Sequence, residues 1–220
     1  MPSPSIDRTR WALGRRDVVS DSAIGIDPHV VGGGRRGGRS FASAEMRRRR
    51  YGTAMAILQV LRHAQAQSFA ARDHDRALTA DGTASARAVG RVLAVTGVPD
   101  RVLVSTARRT RQTVDEAMLA GDWHADVVPI DVLYGGDPTD VLDVLAAEAG
   151  DRASVLLVGH EPWCSGLVGM LTGAQVRMSA ASLATLQVGP GWDALDPGWC
   201  SLTSFIPAWL AGRLEPAARR

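Results

Sequence analysis

Met55-Ala56-Ile57-Leu58-Gln59-Val60-Leu61-Arg62-His63-Ala64 is the stretch from which the fold is read. Ile57–Leu61 is a short apolar run of the kind that forms a buried strand, and it stops on a cation and an imidazole, Arg62 and His63. The pattern recurs. Arg101–Ser105, Val127–Ile130, Ser154–Val158 and Leu183–Val188 are short runs rich in Val, Leu and Ile. A last strand is expected near Leu202–Ile206, beyond a loop at 189–200 rich in Gly, Pro and Trp. Helical patterns lie between these runs. Thr79 reads as the N-cap of a helix that continues to about Thr96, before Gly97 and Pro99 stop it. Ala107–Ala120, Pro138–Ala149 and Glu161–Leu171 read as three more. Alternation of this kind predicts a three-layer α/β/α domain with helices covering a mostly parallel central sheet.

Ligands of open α/β sheets bind beyond the carboxyl ends of the strands, so the residues just after each run are the informative ones. Arg62-His63-Ala64 follows the first and Ser105-Thr106-Ala107-Arg108-Arg109-Thr110-Arg111-Gln112-Thr113 closes the second. Asp131 follows the third and Gly159-His160-Glu161-Pro162 the fourth. Two Arg-His constellations and one acid are thus expected on one edge of the sheet.

The segments LRHAQA, STARRTRQT and VGHEP, in that order and spacing between Ile57 and about Val188, resemble the three blocks of the histidine phosphatase (phosphoglycerate mutase-like) superfamily. RALTADG at Arg76–Gly82, with the small size of the domain, resembles the short branch of phosphohistidine phosphatases called SixA. The resemblance implies a phosphoglycerate mutase-like fold and a phosphatase in which His63 is the nucleophile and carries a phosphohistidine intermediate. It implies that Arg62 and Arg109 bind the phosphoryl oxygens, that His160 completes the pocket, and that Arg76 is a further phosphate ligand. No metal and no cofactor are expected.

Elementary chemistry agrees with those roles. A neutral imidazole, with a reference pKa of about 6.5, is a competent nucleophile near pH 7. Phosphoryl transfer spreads charge over three equatorial oxygens, and the planar, permanently charged fork of Arg binds two of them at once. Plainer readings compete at several positions. A lone His after a strand is more often structural, but Arg62 beside it and the two later blocks favour a functional His63. Arg108, Arg109 and Arg111 crowd one helix start, where only one can face the pocket, and the choice of Arg109 rests on the resemblance. Arg76 has the alternative of pairing with Asp73 or Asp75, and His74 and His124 read as surface residues. Asp131 is the expected general acid, with Asp137 a competing candidate and a loop-capping role the plain alternative. Two departures stand out: Ala64 replaces a more frequent Gly, and Glu161 stands where Asn is common, adding negative charge near an anion site.

Composition narrows the class. The chain has 220 residues, 45% hydrophobic and 22% charged, ample for one domain with a full core. No apolar run approaches the roughly 20 residues of a membrane-spanning helix, so a soluble protein is expected. Two cysteines, Cys164 and Cys200, read as buried thiols in a reducing cytoplasm. All 25 basic residues are Arg, a feature that coding bias can produce and that is not read as nucleic-acid binding. Residues 1–54, with Gly32-Gly33-Gly34-Arg35-Arg36-Gly37-Gly38-Arg39 and Arg47-Arg48-Arg49-Arg50, bury little apolar surface and are expected to be a disordered Arg/Gly-rich extension ahead of a domain at 55–220. An inert arm or upstream sequence is preferred there, with an arm that touches RNA or acidic partners, or a targeting peptide, as alternatives.

Ser154 follows Asp131 by only 23 positions, so no long segment closes over the site and only a short lid is expected. An open pocket suits a phosphorylated side chain of another protein, phosphohistidine by the resemblance. The alternatives are a small phosphorylated substrate, handled by a broad phosphomonoesterase, and a non-catalytic phosphate-binding module.

Overall fold

The computed structural model describes residues 55–189, 191–192 and 195–214, so the reading of residues 1–54 falls outside it. Six strands form one sheet: β1 (Ala56–Arg62), β2 (Arg101–Ser105), β3 (Asp126–Ile130), β4 (Ser154–Gly159), β5 (Leu183–Val188) and β6 (Ser201–Ile206). Their order is β3-β2-β4-β1-β5-β6. The first four are mutually parallel, and β5 and β6 are antiparallel to their neighbours. The expected strands are present to within a residue of their bounds.

The helices are α1 (Ala80–Thr96), α2 (Arg108–Gly121), α3 (Val132–Gly135), α4 (Pro138–Glu148), α5 (Trp163–Thr172) and α6 (Ala208–Ala211), with a 3-10 turn at Asp73–Asp75. Thr79 caps α1 as expected, its side chain accepting from the Gly82 N–H at 3.0 Å. The interval between β3 and β4, read as one helix, holds two, because Gly135 and Gly136 end α3 and Asp137-Pro138 restarts the chain. Asp137 is used as the cap of α4 and accepts from the Thr139 and Asp140 N–H groups at 2.7 and 3.0 Å.

Strand alternation divides the apolar side chains between two cores. Leu58, Val60, Leu103, Val155 and Leu157 face one way and pack with Val141 and Leu145 of α4 and Leu167, Val168 and Leu171 of α5. Leu61, Val102, Val104, Leu156 and Val158 face the other way and pack with Val89, Val92 and Leu93 of α1 and Val114 and Ala117 of α2. The three-layer α/β/α reading is met in this way: helices cover both faces of the central strands, whose buried side chains are apolar apart from Gln59 in β1 and Ser105 at the end of β2. Cys164 and Cys200 are free and buried. Among the described residues no helix is long and apolar enough to cross a membrane.

Candidate active site

Arg62 pairs with Gly159 in the parallel register of β1 and β4, so the chain leaves both strands at the same height. The His63 N–H donates to Gly159 O at 2.9 Å. The rings of His63 and His160 therefore emerge side by side, 5.0 Å apart and tilted by 58°, close to the spacing of neighbouring strands. β2 flanks β4 and ends on Ser105, whose Oγ lies 2.8 Å from His160 Nε2. The chain then enters α2. Thr113 on that helix accepts the Ala64 N–H at 3.1 Å and donates to Arg109 O at 2.7 Å, which ties the loop after β1 to the helix that carries Arg109.

Arg109 is only 4% exposed and lies at the centre of the cluster. Its Nε donates to His63 Nε2 at 3.3 Å and its Nη2 to His160 Nδ1 at 3.2 Å. Its Nη1 donates to Asp73 O at 2.8 Å and its Nη2 to Asp73 Oδ2 at 3.0 Å. Of the three crowded arginines it alone is buried, while Arg108 and Arg111 are exposed.

These partners assign the imidazole protons. His63 Nδ1 lies 2.7 Å from Ala64 O, and a carbonyl oxygen only accepts, so the proton sits on Nδ1 and the lone pair on Nε2. His160 accepts from Arg109 on Nδ1, which leaves its proton on Nε2, facing Ser105. Burial lowers the His63 pKa to about 4; the Ala64 hydrogen bond works against that shift, and Arg109, Arg62 and Arg76 reinforce it. His160 is pushed down to about 3 by burial, then by His63 and Arg109. Both rings are neutral at pH 7.

Arg62 donates from Nη1 to Met178 O at 2.9 Å, and its buried Nε has no hydrogen-bond partner among the described residues. Arg76 donates from Nε to Asp73 Oδ1 at 2.7 Å and from Nη1 to Gln67 O at 3.0 Å. Asp73 thus links Arg76 and Arg109, and it also accepts from the Tyr134 hydroxyl at 2.8 Å. Tyr134 first, then Arg109 and Arg76, hold the Asp73 carboxyl below the usual carboxylate range. Tyr134 stands edge-on to His160, with ring centroids 5.4 Å apart, and the Arg109 guanidinium lies 5.7 Å from its ring.

Asp73 and Tyr134 are members of the cluster that the sequence reading did not include. His74, read as a surface residue, is half-buried: its Nε2 is 3.1 Å from Thr106 Oγ1 and its ring is 5.1 Å from that of Tyr134. Asp131 is exposed just ahead of α3; its backbone carbonyl accepts the Tyr134 N–H at 2.9 Å, and its side chain makes no hydrogen bond or ion pair among the described residues. Glu161 does not confront the anion site directly, since its carboxylate is engaged by the Ser165 hydroxyl and, at 3.3 Å, the Ser165 N–H. Among the described residues, no three or more His, Cys, Asp or Glu side chains are arranged to hold a metal ion.

Tyr134 is positioned from behind. Trp163, at the start of α5, donates its Nε1–H to Leu133 O at 3.1 Å, next to Tyr134 in α3. The same indole lies over Gly159, where a Cβ would come within 1.9 Å of its ring. Gly159 is therefore required for close approach, and the indole joins the His160 strand end to the tyrosine that faces it.

The family model of the histidine phosphatase superfamily (branch 1) matches residues 58–131. An uncharacterised protein of Mycobacterium tuberculosis is 32% identical over 145 residues, 60% of this chain and 89% of that one. An uncharacterised chloroplastic protein of Arabidopsis thaliana is 30% identical over 149 residues, 62% of this chain and 68% of that one. Among solved structures, a candidate phosphohistidine phosphatase SixA from Nakamurella multipartitia is 34% identical, with a TM-score of 0.62 over 69% of this chain and 95% of that one. The protein histidine phosphatase SixA in complex with tungstate is 25% identical, also with a TM-score of 0.62, over 70% of this chain and 97% of that one. With the three sequence blocks converging on one sheet edge and relatives matched over nearly their whole length, the chain belongs to the histidine phosphatase superfamily, in its SixA-like branch.

Proposed function

We propose that this protein is a phosphatase that takes a phosphoryl group onto Nε2 of His63 and passes it to water, with phosphohistidine in another protein as its substrate. The observation that carries the reading is the state of His63. Its proton is held on Nδ1 by Ala64 O at 2.7 Å, and its Nε2 lone pair faces the Arg109 guanidinium at 3.3 Å. A nucleophile beside a cation is what a phosphoryl group needs.

In the first step the Nε2 lone pair forms a bond to phosphorus while the bond to the leaving nitrogen or oxygen breaks, and that atom takes up a proton. In the second, water attacks phosphorus, the bond to Nε2 breaks, and inorganic phosphate leaves with His63 restored. Arg62, Arg76 and Arg109 bind the phosphoryl oxygens in both steps. The Arg62 Nε–H, buried and without a partner among the described residues, is a donor available for one of them. His160, neutral with Nδ1 turned to Arg109, completes the pocket. Tungstate is a tetrahedral oxyanion like phosphate, and the similar protein SixA binds it, which supports an oxyanion as the ligand of this chain.

The substrate follows from the leaving group. The side chain of Asp131, the expected acid, makes no hydrogen bond or ion pair with the cluster, and Asp73 is held ionised. A departing imidazole needs less proton donation than an alkoxide, so a site without a poised acid favours phosphohistidine. The test compares a phosphohistidine peptide with p-nitrophenyl phosphate. We expect kcat/KM to favour the peptide by about tenfold or more, and His63→Ala to lose about a thousandfold or more on both. A preference for the ester would instead make the protein a broad phosphomonoesterase. Phosphate binding without turnover of either compound would make it a binding module.

A further inference from the structure

Beside the phosphoryl site lies a second cavity of about 310 Å³, lined by His74, Asp75, Thr106, Arg108, Arg111 and Asp115 among others. His74 is the wall between the two. One side of its ring meets Tyr134 of the phosphoryl cluster, and its Nε2 is bonded to Thr106 of the second cavity. α2 serves both sites. Residues 108 and 111 share one face of the helix, while Arg109, one residue on from Arg108, turns to the histidines. The cavity is therefore a neighbour of the reacting phosphorus and not part of the cluster that handles it.

Its two guanidinium groups are uncommitted. The side chains of Arg108 and Arg111 are exposed and make no hydrogen bond or close ion pair among the described residues, although Arg108 is felt by Asp75 and Arg111 by Asp115 through space. Two acids share the cavity, but neither cancels them. Asp75 is held by Arg72, which donates to its two oxygens at 2.8 and 3.3 Å. Asp115 sits one helical turn beyond Arg111 and is a single charge, and burial raises its carboxyl pKa. The lining carries two cations and two anions, and Arg72, outside it, offsets Asp75, which leaves two guanidinium groups facing the single carboxyl of Asp115.

We infer that this cavity is a subsite for an anionic group flanking the phosphorylated residue, and that its occupant is an acidic side chain of a peptide substrate received by Arg108 and Arg111. This rests on the phosphatase reading for the identity of the neighbouring site. It adds what that reading lacks, a basis for choosing among phosphorylated partners. The cavity is open and its arginines are on the surface, so it suits the chain around a phosphorylated residue better than a small molecule that must be enclosed. Two exposed charge contacts favour an acidic flank by roughly threefold to tenfold in affinity at ordinary salt, and by less as ionic strength rises.

The test uses three phosphohistidine peptides that differ only in flanking Glu, Ser or Lys residues. Their dissociation constants are measured by calorimetry on the full chain carrying His63→Ala, so that no turnover is needed. The Glu peptide is expected to bind threefold to tenfold tighter than the Ser peptide. That advantage should vanish when Arg108→Ala and Arg111→Ala are added, and Arg108→Glu with Arg111→Glu should turn the preference to the Lys peptide. In the otherwise native enzyme the two alanine substitutions should leave hydrolysis of p-nitrophenyl phosphate within twofold, which also reports that the fold is intact. Equal binding of the Glu and Ser peptides, or a Glu preference that survives the alanine substitutions, would overturn the subsite. So would a bisphosphorylated small molecule that gains affinity through the two arginines while the peptides show no difference. Failure of the phosphatase reading looks different: neither peptide nor ester is turned over, whatever the flanks do to binding.

Discussion

His63 is pulled in two directions. Desolvation disfavours its charged form, the Ala64 carbonyl favours it, and three arginines oppose it, with a net pKa of about 4. A folded-state pKa below the usual 6.5 means that the ring gives up its proton at lower pH, so the Nε2 lone pair is available throughout the neutral range. In an NMR titration the His63 signals, assigned with His63→Ala, should move with a midpoint near 4, and those of His160 near 3. Midpoints near 6.5 for either ring would contradict the burial seen here. At this scale legibility was uneven, for a physical reason. Arg62, His63 and His160 follow apolar runs directly, so their place at the sheet edge could be inferred from strand periodicity, whereas Arg109, in the first turn of α2, was singled out from Arg108 and Arg111 by the family resemblance. Asp73 and Tyr134 meet across the pocket from a 3-10 turn and from a helix of four residues, neither of which has a period to read. Only the third position before Arg76 in Asp73-His74-Asp75-Arg76 hinted at Asp73, as a partner for that arginine.

Among the elements, α1 and α2 show most clearly how backbone approach sets geometry. They cross where Gly90 meets Ala117, so closely that a Cβ on Gly90 would lie 2.0 Å from Ala117 O. Gly90 O also accepts the Trp123 Nε1–H at 3.0 Å. Gly90→Ala should therefore push α2, and Arg109 with it, away from α1, at a cost of about 1–3 kcal/mol in chemical unfolding. A gain in stability, as expected for an open helix position where Ala is the better residue, would show that the crossing is looser than described. The long elements were legible because burial enforces their periods: four largely buried strands, β1, β2, β4 and β5, and helices bounded by Thr79, Gly97 and Pro138. The short helix α3, ahead of the helix expected from Pro138, was not. Val132-Leu133-Tyr134 has the apolar content of the helix that follows, and Gly135-Gly136 interrupts a helix without forbidding it. What holds α3 separately is a tertiary contact, the Trp163 indole on Leu133 O, which no local pattern announces.

Across the whole molecule, four parallel strands deliver their ends to one edge, and the two antiparallel strands β5 and β6 extend the sheet on the far side of β1. β1 and β4 are neighbours at the centre, β2 lies beyond β4, and each ends on a residue of the cluster or leads into one. Residues 63 and 160, far apart in the chain, are thereby brought within hydrogen-bond reach of the guanidinium of residue 109. The mostly parallel sheet was predictable from alternation, but the strand order that makes His63 and His160 neighbours was not, because pairing between distant strands leaves no mark in either one. The central claim is that His63 itself receives the phosphoryl group. Rapid mixing with a labelled phosphohistidine donor, followed by denaturation, gel separation and acid treatment, measures this directly. The account predicts protein-bound label that is stable in alkali, lost in acid, and absent from His63→Ala. Label of the same stability in His63→Ala would contradict it.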